Sequence, residues 1–90
     1  MSENTVTAEY INSIIDNSFI EVDTKFDKVT VVTLKTPSGF VLVEAAGAVD
    51  PANYDVEIGK KICLERITNK LWELEGYVLQ KQLKGVGVAK

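Results

Sequence analysis

Apolar and polar residues follow one another along this chain in three rhythms, and each rhythm predicts a different element. Residues 1–6 are polar and predict a frayed start. Thr7 then reads as a helix N-cap, with Glu9 in the first turn where a carboxylate favours the positive end of the helix dipole. Tyr10, Ile11, Ile14 and Ile15 recur at helical spacing and predict a short helix over about residues 8–16, closed by Asp16-Asn17-Ser18.

From Ser18 the period changes to two. Phe19–Thr24 predicts a first strand, Lys25-Phe26-Asp27-Lys28 a turn, and the β-branched run Val29–Lys35 a second strand. Thr36-Pro37-Ser38-Gly39 is a tight turn, with proline suited to its second position and glycine free to take a positive φ. Gly39–Ala46 returns as a third strand. Asp50-Pro51 is a helix-start pair, and Asp55 with Glu57 behind it is a second one, after a short turn through Tyr54. A long helix is expected over about residues 56–82, with a kink or a close packing contact at Gly76. The tail Gly85–Lys90 is expected to be mobile. The reading is an α+β fold forming a single domain, residues 1–90: a short N-terminal helix, a three-stranded antiparallel β-meander, and a long C-terminal helix packed on the sheet.

Projected at 100° per residue, the long helix shows two apolar faces. Val56, Cys63, Leu64, Ile67, Leu71, Leu74 and Val78 form a stripe expected to cover the sheet. Ile58, Ile62, Trp72 and Leu79 point elsewhere. A small domain with one sheet offers one core, so the second face calls for a partner, either the N-terminal helix or another subunit. The four residues are therefore candidates for an oligomer interface.

Between the two faces runs a narrow flank holding Arg66, Lys70, Tyr77 and Lys81. Arginine offers a planar fork to phosphate oxygens, lysine a point charge, and tyrosine a ring on which a base can stack. Arg66, Lys70 and Tyr77 are the leading ligand-binding candidates; Tyr54 can add a second ring, and Lys60 and Lys61 further charge from a neighbouring subunit. The competing reading is a solvated charged face in which Glu73 pairs with Lys70.

Charge sharpens this picture. The net charge is −3, unlike a protein that coats duplex DNA. Residues 1–57 hold three Lys/Arg against ten Asp/Glu, whereas residues 58–90 hold seven against three. Such asymmetry fits a local anion site or subunits packing acidic against basic. With no histidine and one cysteine, the chain lacks the commonest general base, and it cannot form an intrachain disulfide or a multi-thiolate metal site. Cys63 falls on the core stripe and reads as a small buried hydrophobe. No phosphate-cradling glycine loop, HExxH or CxxC is present. These features point to a non-enzymatic protein with no metal and no cofactor. No apolar run approaches the roughly 18 residues of a membrane span, and the N-terminus lacks a signal-peptide pattern.

The strand VTVVTL, Gly39-Phe40, Val49-Asp50-Pro51, Asn53-Tyr54-Asp55, Ile58-Gly59-Lys60 and the string Lys70-Leu71-Trp72-Glu73-Leu74-Glu75-Gly76-Tyr77 with Leu79 occur in that order. Over about residues 30–80 this resembles a family of small tailed-phage proteins named after gene 49 of a coliphage and gene 66 of a Shigella phage. The departures are Thr36-Pro37-Ser38, where a shorter Asn-Gly turn is usual, and Val43-Glu44-Ala45-Ala46, where a Gly/Ser-bearing stretch is usual. The resemblance implies a phage accessory protein in the cytoplasm of the infected bacterial host, dispensable for building virions. By analogy with small oligomeric phage proteins, the expected function is counter-defence: a homo-oligomeric sponge that sequesters cyclic dinucleotide-type immune signals without cleaving them. The alternative is an inhibitor that binds a host enzyme or nucleic-acid-binding protein. A structural accessory of phage replication is a further option.

Overall fold

The structure, a computed structural model, describes residues 5–84. The elements are helix α1 (Ala8–Asp16), strands β1 (Phe19–Lys25), β2 (Val29–Lys35) and β3 (Val41–Gly47), a 3-10 turn (Pro51–Asn53), and helix α2 (Val56–Lys84). The α+β order read from the sequence is thus the order in space, with the sheet an antiparallel meander β1-β2-β3. The tail Gly85–Lys90 lies outside the described residues. α2 itself runs through Lys84, two residues past the end expected near residue 82.

Each boundary has a local cause. The Thr7 side chain accepts from the Tyr10 N–H at 3.1 Å, and the Asn17 N–H closes the far end of α1 on the carbonyls of Ser13 and Ile14. Gly39 takes a φ of +95° in the β2–β3 turn, and its N–H bonds the Thr36 carbonyl at 2.9 Å. Asp50 Oδ1 accepts from the Ala52 N–H at 2.9 Å and starts the 3-10 turn. Asp55 Oδ1 accepts from the Glu57 N–H at 2.9 Å and starts α2.

The core lies between the sheet and the two helices. Thr30, Val32 and Leu34 of β2 and Leu42 of β3 are buried against Cys63, Ile67 and Leu71 of α2 and Ile11 of α1. α2 packs across β2 and β3, whereas β1 packs on β2. The stripe drawn from the helical wheel needs correction at its C-terminal end. Leu74 and Val78 are exposed, and Leu79, expected on an outward face, is buried. The buried positions are Gly59, Cys63, Ile67, Leu71 and Leu79, a row at four-residue spacing with half-buried Glu75 between the last two. Such a row drifts about 40° per step around the helix. A helix lying obliquely on its neighbours buries that ridge and not a straight stripe.

Gly76 also differs from expectation. α2 runs unbroken through it, and a Cβ there would meet nothing within 4 Å. The close contact is at Gly59, where a Cβ would lie 2.3 Å from Thr30 Oγ1.

Candidate ligand site

The six sequence-predicted ligand residues fall at three places. Arg66 and Lys70, one turn apart on α2, both face β3. The Arg66 guanidinium donates to the Ala45 carbonyl at 2.9 Å, and the Lys70 ammonium pairs with the Glu44 carboxylate. Lys70 therefore bonds across to the sheet, not along the helix to Glu73. Tyr77 stands further along the same side of α2, two-thirds exposed, with Lys81 Nζ 5.4 Å from its ring centroid.

Tyr54 is held elsewhere. Its hydroxyl shares hydrogen bonds with Thr24 Oγ1 at 2.8 Å and Thr30 Oγ1 at 2.7 Å, so it ties the start of α2 to β1 and β2. Lys60 and Lys61 line a shallow surface with Leu64, Glu65, Thr68 and Asn69. They do not meet Arg66 or Tyr77 within one chain.

The proposed interface residues also separate. Ile58 is exposed and Ile62 half-buried, and both border a small recess of about 130 Å³ beside the end of β3. Trp72 remains over a third exposed. Leu79 is buried and leaves the set.

Sequence reasoning missed a concavity lined mainly by apolar side chains. α1, the β2–β3 turn and the C-terminal half of α2 enclose a groove of about 480 Å³. Its aromatic lining is Tyr10, Phe40 and Tyr77, and its aliphatic lining includes Leu71, Leu74 and Val78. Phe40 is over half exposed because the Thr36–Gly39 turn carries it past the end of the core. The signal available in the sequence was the pair of apolar residues, Leu74 and Val78, that the wheel assigned to the core.

Polar groups border this groove. Thr36 and Ser38 bond each other through their hydroxyls at 2.9 Å, and the Asn17 amide donates to the Ser13 carbonyl at 2.8 Å, leaving its own oxygen to accept. The negative charge of Glu75 beside Tyr10, with burial and a hydrogen bond to that carboxylate adding to it, raises the Tyr10 phenol above its ordinary pKa. The volume falls in the range of small-molecule sites, and three rings with few polar groups suit a planar, partly apolar ligand.

Cys63 takes no part. It is buried, its thiol points at the Thr30 carbonyl 3.8 Å away, and burial pushes its pKa up. Among the described residues, no three His, Cys, Asp or Glu side chains gather closely enough to share a metal ion, and no helix is long and apolar enough to cross a membrane.

A family model described as phage protein (N4 Gp49/phage Sf6 gene 66) family matches residues 6–83, which extends the resemblance back through α1 and β1. No curated protein and no solved structure matches the chain.

Proposed function

The chain belongs to the N4 Gp49/phage Sf6 gene 66 family of phage proteins, and from that premise we propose that it is a non-enzymatic counter-defence protein that sequesters a small nucleotide signal. The observation that carries this reading is the groove of about 480 Å³ lined by Tyr10, Phe40 and Tyr77. A nucleobase is the planar, partly apolar group such a lining suits. Tyr77 belongs both to the groove and to the side of α2 that bears Lys70 and Arg66. A base among the rings would set its phosphate within reach of Lys81, over the Tyr77 ring, while Lys70 and Arg66 would have to exchange Glu44 and the Ala45 carbonyl for it. Lys60 and Lys61 would serve a ligand only across a contact between subunits, which fits a homo-oligomeric sponge acting in the host cytoplasm. Binding alone accomplishes sequestration, so the absence of histidine is no obstacle.

The test is calorimetric titration with a panel of cyclic dinucleotides. Stacking of a base on an aromatic side chain is worth about 1–3 kcal/mol by alanine substitution, or roughly five- to a hundredfold in affinity. Tyr77→Ala and Phe40→Ala should each weaken binding about tenfold or more while the protein stays folded, because both side chains are largely exposed. If the wild type binds none of the panel, the sponge reading fails. If it binds and both variants bind equally well, sequestration survives and the groove is not its site.

A further inference from the structure

The two edges of the sheet are finished differently. In the β2–β3 ladder, the Thr36 N–H donates to the Phe40 carbonyl and the Ala48 N–H to the Lys28 carbonyl. Even-numbered residues therefore exchange hydrogen bonds there, and Val41, Val43, Ala45 and Gly47 turn their backbone groups to the open side of β3. Arg66 occupies part of that edge through its bond to the Ala45 carbonyl, and the Lys70–Glu44 pair stands beside it. A side chain bonded to an edge carbonyl obstructs pairing with another strand.

Among the described residues β1 has no such guard. The same alternation continues through β2, whose odd-numbered residues face Phe19, Glu21, Asp23 and Lys25. The N–H and C=O groups of Ile20, Val22 and Thr24 consequently point outward from the sheet. Among the described residues, no side chain hydrogen-bonds to them. Ile20 and Val22 also remain more than a third exposed on the helix-facing side, because α2 crosses β2 and β3. All seven residues of β1 are exposed.

Charge decides what can pair with this edge. On the face away from α2, β1 presents Glu21 and Asp23 between Phe19 and Lys25. A second copy of β1 laid antiparallel must match outward-facing residues with outward-facing residues. Every such register that pairs five or more residues sets Glu21 opposite Glu21, Glu21 opposite Asp23, or Asp23 opposite Asp23, and only the last also sets Lys25 opposite Glu21. Like charges directly opposite destabilise a strand pair. Every self-pairing keeps at least one like-charge match, whereas a strand carrying cations opposite both Glu21 and Asp23 has none.

We propose that the free edge of β1 accepts an extended segment of a partner protein in which Lys or Arg alternates with Val, Ile or Leu. The segment adds a fourth strand, with its cations over Glu21 and Asp23 and its apolar side chains beside Ile20 and Val22. The proposal stands independently of the groove.

The probe is a synthetic peptide of alternating valine and lysine, with the valine–glutamate counterpart as control. In titrations of isotopically labelled protein, the lysine peptide should shift the amide resonances of Ile20, Val22 and Thr24 and slow their exchange with solvent. The glutamate peptide should not. Val22→Pro deletes an outward N–H without taking a bond from the β2 ladder, a position where an edge strand tolerates proline. It should weaken the lysine peptide at least tenfold. Should that variant fail to fold, Glu21→Lys with Asp23→Lys provides the second reading: it should reverse the preference to the glutamate peptide. The proposal is overturned if the lysine peptide does not bind, if both peptides bind alike, or if the substitutions leave binding unchanged. It is equally overturned if β1 proves to pair with a second copy, seen as a dimer that Val22→Pro converts to monomer.

Discussion

Gly59 lies against Thr30 with no room for a side chain: a Cβ on the glycine would sit 2.3 Å from Thr30 Oγ1 and 2.7 Å from Thr30 Cβ. Thr30 cannot turn away without loss, because its hydroxyl is bonded by Tyr54 and its residue is fully buried. α2 is thereby set at its distance from β2 by the missing methyl group. Gly59→Ala should force the helix outward at a cost of about 1–3 kcal/mol. For a domain of this size each kcal/mol corresponds to roughly 4–8 °C in Tm. Thermal unfolding of the variant checks this, and an unchanged Tm would mean that the contact relaxes freely.

Gly76 is the internal control. It sits in the same helix with open space where a Cβ would go, so nothing offsets the conformational entropy it adds to the unfolded chain. Gly76→Ala should raise stability by about 0.5–1 kcal/mol. Two glycine-to-alanine changes in one helix should then move Tm in opposite directions.

Local chemistry made the fold legible. Thr7, Asp50 and Asp55 act as the caps their residue types announce, and the strand VTVVTLK pairs on both sides with the alternation its β-branched residues predict. The site was harder to read because it depends on how elements cross. A helical wheel keeps one fixed direction for the core, whereas α2 buries a winding row, so Leu79 and Val78 exchange the places assigned to them. Arg66 and Lys70 do share a flank, as their spacing requires. Their partners Ala45 and Glu44 come from a strand brought alongside by tertiary packing, which helix periodicity does not contain. Phe40 and Tyr10 meet Tyr77 in the groove for the same reason.

The turn between β1 and β2 carries avoidable strain. Phe26 and Asp27 have φ values of 55° and 58°, in the left-handed region that asparagine and glycine enter more readily than a bulky residue. Phe26 is 87% exposed, so it gains little burial in exchange. Left-handed backbone costs about 1–2 kcal/mol for an ordinary residue. Phe26→Asn should recover part of that, about 0.5–1 kcal/mol, with unchanged strand pairing in amide exchange. A lower Tm would show that the Phe26 ring makes a contribution its exposure conceals.

Tyr10 links the groove to pH. Its phenol ionises above the ordinary value, first because of the Glu75 charge, then because of burial and the hydrogen bond to that carboxylate. The folded state thus holds this proton more tightly than the unfolded chain does. The associated stability is fully present below the unfolded tyrosine pKa of about 10 and is lost as pH rises through the raised folded value. Glu75→Gln removes the largest cause and should bring Tyr10 ionisation to lower pH, followed by ring resonances or by ultraviolet absorbance of the phenolate. In denaturant unfolding, wild type should lose stability between neutral and strongly alkaline pH, and Glu75→Gln should lose less of it. A Tyr10 titration indifferent to Glu75→Gln would show that the carboxylate does not face the phenol across the groove.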